Sequence, residues 1–172
     1  MRQRYIFTYL VLLAIQIVLG GLLNLSQYVV VVFLPVMILS LPITHGTPRL
    51  LLIAFVSGLA VDFFTNGVLG LTTCALLPVA LARNSLIRLV FGTELLSRQE
   101  DISIHKQGPA KVLLVILLAT TLFFLIYTPV DCAGTRPAGF VALRMLLSIA
   151  LSTPVSYYAA GVLAPREADR WR

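Results

Sequence analysis

The sequence predicts an all-α, polytopic membrane protein with about six transmembrane helices, and three observations carry that prediction. Hydrophobic residues make up 59% of the 172-residue chain and charged residues only 12%, with a mean hydropathy of +0.95, far from a soluble globular composition. Apolar runs recur at 5–23, 28–41, 50–64, 68–82, 112–128 and 140–163, parted by turn residues. The cations lie between these runs and at the chain ends rather than along one face, so the net charge of +6 reflects membrane topology and argues against a nucleic-acid partner. The whole chain, 1–172, reads as one transmembrane domain.

The first run follows a basic start, Arg2 and Arg4. It extends about 28 Å, enough to span, and no Ala-x-Ala site follows it, so it is a helix rather than a cleaved signal peptide. After the uncharged turn 24–27, the run 28–41 has Pro35 at its middle and a helical length of only about 21 Å. It thins the bilayer, borrows residues from the turn before it, or re-enters. Pro42, Gly46 and Pro48 mark a turn, and Arg49 opens the run 50–64, which ends at Thr65, Asn66 and Gly67. The run 68–82 follows, with Pro78 as a kink. Residues 83–111 form a cytoplasmic loop. Within it Leu86, Ile87, Val90 and Phe91 recur at helical spacing, giving either an amphipathic helix in the headgroups or an extension of the fourth span. Pro129 closes the run 112–128, a polar loop follows at 131–139, and the last run carries Arg144 and Pro154. Along it Ser148, Ser152, Ser156 and Ala160 recur four apart, a spacing read as an internal packing face.

Six spans put Arg2, Arg4, Arg49, Arg83, Arg88, Arg98, Lys106, Lys111, Arg166, Arg170 and Arg172 on one side, eleven of the thirteen basic residues. By the positive-inside rule that side is cytoplasmic and holds both termini. If the second run re-enters, four spans is the fallback, and an odd number is disfavoured.

Two charges stand inside apolar runs, Asp62 and Arg144. An ionised group at the bilayer centre costs roughly 2.5 to 3.5 kcal/mol on insertion scales. Helical rise puts both in the outer third of the membrane, where they pair, snorkel separately to the headgroups, or meet a ligand or partner. Chemistry beyond this is sparse. His45 and His105 are lone loop residues, Asp131 and Arg136 read as surface charges, and Cys74 and Cys132 as small apolar residues, the latter in a loop. No phosphate-binding glycine loop, membrane carboxylate pair or metal-ligand spacing occurs in the sequence, so neither an enzyme nor a cofactor is expected.

The stretch Gly58-Leu-Ala-Val-Asp62-Phe-Phe-Thr-Asn66-Gly67-Val-Leu-Gly70-Leu71, followed by an apolar run and Arg83, resembles the central segment of the rod shape-determining MreD family. That family commonly shows a Gly-rich helix, an Asp before an apolar residue, a polar turn, a Gly-Leu pair, a further helix and an Arg. The match covers about a sixth of the chain. Thr72 and Asn84 stand where the family often has His and Pro, which leaves Asp62, Gly70 and Arg83 as the carried-over positions. The resemblance implies a non-enzymatic subunit of the cell-elongation machinery in the bacterial inner membrane. It would act with the bitopic MreC, alongside MreB, RodA and a class B penicillin-binding protein, to maintain rod shape and coordinate peptidoglycan synthesis.

The resemblance further implies an architecture similar to the six-helix substrate-binding subunits of energy-coupling-factor transporters. The alternative function is therefore a small-molecule-binding transport component, although the short outer loops favour the scaffold. In the scaffold reading the outer turn, with Asn66 and Gly67, is where an extracytoplasmic partner touches. Arg83 and Arg88 on the cytoplasmic side face membrane lipid or a filament.

Overall fold

Helices are the only regular elements among the residues described by the computed structural model, 2–23, 29–41, 46–66, 68–92, 108–132 and 136–163. The first, α1 (Arg2–Leu23), buries Tyr9, Leu12 and Gln16 at i, i+3, i+7 spacing and leaves Phe7, Leu10, Val11, Ile15 and Val18 exposed. That division is the one-sided burial of a helix packed on a core.

The second run departs from a helical span. Residues 29–33 have no regular structure, and α2 (Leu34–Leu39) is only six residues long. Pro35 explains the break: its ring clashes with a preceding helical turn and pushes the residue before it away from the α region, so proline suits only the start of a helix. The β-branched run Val29 to Val32 adds little helical preference upstream. All six residues of α2 are buried. Non-helical backbone at membrane depth is tolerated where protein surrounds it, and here α2 touches all five of the other α-helices.

Three further helices outrun their expected bounds. α3 (Thr47–Val61) has Pro48 in its first turn and continues into a π turn (Asp62–Asn66). α4 (Leu71–Phe91) is one helix through Pro78, so the amphipathic stretch 83–91 extends the span rather than lying apart in the headgroups. α5 (Pro109–Cys132) passes Pro129 and takes in Asp131 and Cys132, both expected in a loop. Helix continues past Pro129, losing there the one bond that its missing N–H would have given the Leu125 carbonyl. α6 (Ala138–Leu163) continues through Pro154 in its interior.

Four helices are long and apolar enough to cross a membrane: α3 with its π turn, α4, α5 and α6. The apolar stretch of α1, Ile6–Gly21, is shorter. Consecutive helices α3, α4, α5 and α6 pack in order, and the buried side chains of Phe33, Leu34, Met37, Ile38, Phe123 and Phe124 fill the space between them. The molecule is thus organised around a broken segment rather than around a helix.

Candidate functional site

Asp62 is fully buried, and its carboxylate is consumed by the start of α4. Oδ1 accepts the Thr72 N–H at 2.8 Å, while Oδ2 accepts the N–H groups of Gly70 and Thr73, each at 3.1 Å, and the Thr73 hydroxyl at 3.0 Å. The first amides of a helix have no partner within it, and the dipole there favours negative charge. Gly70 occupies the N-cap position with φ of 98° and brings no capping side chain, so Asp62 supplies the cap from the preceding turn. A left-handed residue at that point is readily glycine. The π turn wraps Asp62 over the helix end, and close approach of α3 to α4 makes the reach possible. A Cβ at Gly58 would lie 2.8 Å from Thr73 Cα.

Asn66 closes the π turn with its backbone; its side chain and Gly67 lie outside the described residues, as do His45 and His105. The tip they border is apolar and outward. Phe63 and Phe64 are each 67% exposed and meet edge to face, and Val68 and Leu69 beside them are exposed as well. α1 docks on this turn near its own end, where a Cβ at Gly20 would lie 2.5 Å from Thr65 Cγ2.

Arg83 is 1% exposed and serves the other end of the broken segment. Its Nε and Nη2 donate to the Leu39 carbonyl at 3.3 and 3.1 Å, and Nη2 donates also to the Leu41 carbonyl. These carbonyls end α2, where acceptors are left over and a cation is favoured. Arg83 is therefore an internal cap and does not face lipid. Arg88, in the last turn of α4, is exposed.

Of the alternatives open for Asp62 and Arg144, pairing with each other does not occur. Arg144 Nη1 lies 2.6 Å from Asp131 Oδ2, with the two side chains 15% and 27% exposed, and 3.6 Å from Cys132 Sγ. Because α5 runs past Pro129, it carries Asp131 to within reach of α6, whereas Asp62 is turned toward α4. Asp131 is thus no solitary surface charge, and Cys132 is a buried helix-end residue. Arg136 lies over the Phe140 ring, 5.0 Å from its centroid.

The serine row meets backbone rather than a helix. Val30 N–H donates to Ser148 Oγ and Val32 N–H to Ser152 Oγ, each at 3.0 Å, while the Ser152 hydroxyl donates to the Val30 carbonyl at 3.4 Å. On the opposite edge Phe33 N–H donates to Gln16 Oε1 at 3.0 Å, and Gln16 Nε2 donates to the Val31 carbonyl at 3.2 Å. Alternate residues thus turn their polar groups to opposite sides, as in a strand. The Gln16 amide does for one edge what a neighbouring peptide group would do in a sheet. Sequence reasoning gave Gln16 no role; a polar side chain inside an apolar run was the available signal.

The residues singled out from sequence therefore fall at separate places. Asp62 and Gly70 come together, Arg83 caps α2, Arg144 joins Asp131, and Arg88 stands outside. Among the described residues no cluster of His, Cys, Asp or Glu could hold a metal ion. Compared with known protein families, curated proteins and solved structures, the chain matches none.

Proposed function

We propose that the chain is a non-enzymatic scaffold subunit of the bacterial cell-elongation machinery in the inner membrane, as its resemblance to the MreD family implies. The observation that carries this reading is what the resembling residues do. Gly58, Asp62 and Gly70 together hold α3 against α4, and the residues beside that contact, Phe63, Phe64, Val68 and Leu69, are exposed. The Asp62 carboxylate is taken up in holding this turn to the start of α4. An exposed apolar tip suits packing against a partner's transmembrane helix and juxtamembrane segment. In this reading the partner is MreC, within a wider assembly of MreB, RodA and a class B penicillin-binding protein.

The topology that goes with it has six crossings, the second made by the broken segment, and both termini in the cytoplasm. Exposed Arg49, Arg88 and Lys111 then meet anionic lipid, at about 1 kcal/mol per basic residue. Mild-detergent purification of the tagged chain from its own membranes tests the function. Stoichiometric recovery of MreC or the polymerase pair is the expected result, and Phe63→Ser with Phe64→Ser should lose it while the chain stays folded. Recovery of a transporter's membrane subunit with paired ATPases, or of a tightly held small metabolite, would overturn the scaffold reading in favour of the transport component.

A further inference from the structure

We propose that the segment 29–41 has two registers on α6: the one described above, and a minor one advanced by a single step toward the Leu41 end. Ser148 and Ser152 take alternate amides because four residues of helix advance about 6.0 Å and two residues of extended chain about 6.6 Å, so the two rows keep step. The row continues beyond the segment's use of it. Ser156, one turn on, is fully buried and its hydroxyl has no hydrogen-bond partner. Elsewhere Ser57, Thr120, Thr121 and Thr153 each donate back to a carbonyl of their own helix; Ser156 does not.

Advancing the segment by two residues gives Ser156 a donor. Val32 N–H passes from Ser152 to Ser156, Val30 N–H passes from Ser148 to Ser152, and Gln16 takes Val29 and Val31 in place of Val31 and Phe33. Because residues 29 to 32 are all valine, Val29 and Val30 enter places that valine held, and a two-residue shift keeps every side chain on its own face. α2 moves as a body by about one helical turn, 5.4 Å, a step that returns ridges to grooves. Displacement of Phe33 from its fully enclosed position disfavours the advanced register. Arg83 opposes it too, since it fixes the Leu39 and Leu41 carbonyls. The segment is a two-position ratchet with Arg83 as its latch.

Methyl NMR of the full chain in nanodiscs, with methionine methyls labelled, reads this step, because Met37 lies within α2 and is fully enclosed. Met37 should give a second signal, or microsecond-to-millisecond exchange. Arg83→Lys and Arg83→Gln should enlarge the minor signal. Ser156→Ala should shrink it about fivefold, the worth of one neutral hydrogen bond, while leaving the major signal in place. A single Met37 signal without exchange in the wild type and in either folded Arg83 variant overturns the proposal. A minor signal that Ser156→Ala leaves unchanged overturns it equally, and that measurement does not depend on any Arg83 variant folding.

Discussion

A carboxylate buried as fully as Asp62 persists only because its lone pairs meet the amides that open α4. Asp62→Asn keeps the shape but turns an amide donor toward other donors, so it should lower stability by about 2 to 4 kcal/mol in thermal unfolding in detergent. Arg144→Gln removes a partly exposed pair with Asp131 and should cost about 0.5 to 1 kcal/mol. The two sites share no partner, so their effects should add, whereas Asp131→Asn and Arg144→Gln should not. A double-mutant cycle showing coupling between Asp62 and Arg144 would contradict the geometry. The two glycines Gly58 and Gly21 give a sharper contrast. A methyl at Gly58 would press on the Thr73 backbone, while one at Gly21 meets nothing within 4 Å. Gly58→Ala should therefore destabilise by about 1 to 3 kcal/mol and Gly21→Ala should be tolerated.

At the scale of elements, hydropathy made α1, α3, α5 and α6 and the start of α4 legible to within a few residues, because lipid contact and core contact both select apolar side chains; α4 runs nine residues past its expected end, to Phe91. The second run was misjudged for the same reason. Hydropathy reports transfer from water and says nothing of backbone geometry, so a segment buried in protein looks like one that faces lipid. Pro35 was visible, but the groups that compensate the break, Gln16, Ser148 and Ser152, lie far away in sequence. Asp62 was hard to read because its partners are mostly amides, which every residue carries. The pairing of Arg144 with Asp131 was not legible because Pro129 marks the end of an apolar run in the sequence, whereas the helix continues to Cys132. The serine row was recognised as internal, and its members are unequal. Ser152→Ala leaves the Val32 amide buried without its acceptor and should cost about 1 to 3 kcal/mol. Ser156→Ala removes a buried hydroxyl that has no partner and should leave overall stability unchanged or raise it. Equal losses at both positions would mean that the row stabilises by packing alone.

For the whole molecule, the direction of the broken segment decides how many times the chain crosses. Val30 meets Ser148 and Val32 meets Ser152, so the segment runs the same way as α6. In the proposed topology α6 runs inward, and the segment therefore completes an inward crossing that returns the chain to the side from which α1 set out. A segment that turned back instead would leave the amino terminus on the opposite side from Arg49. The prediction is checked with single cysteines in a Cys74→Ala, Cys132→Ala background, using a membrane-impermeant maleimide on intact and permeabilised cells. Arg136→Cys should react in intact cells. Arg4→Cys, Arg49→Cys, Arg88→Cys and Lys111→Cys should react only after permeabilisation, as the positive-inside rule requires. Arg4→Cys carries the weight, because α3, α4 and α5 alternate across the membrane whatever the segment does. Labelling of Arg4→Cys from outside, with Arg49→Cys protected, would make the segment a re-entrant plug and remove the second crossing from the proposed topology.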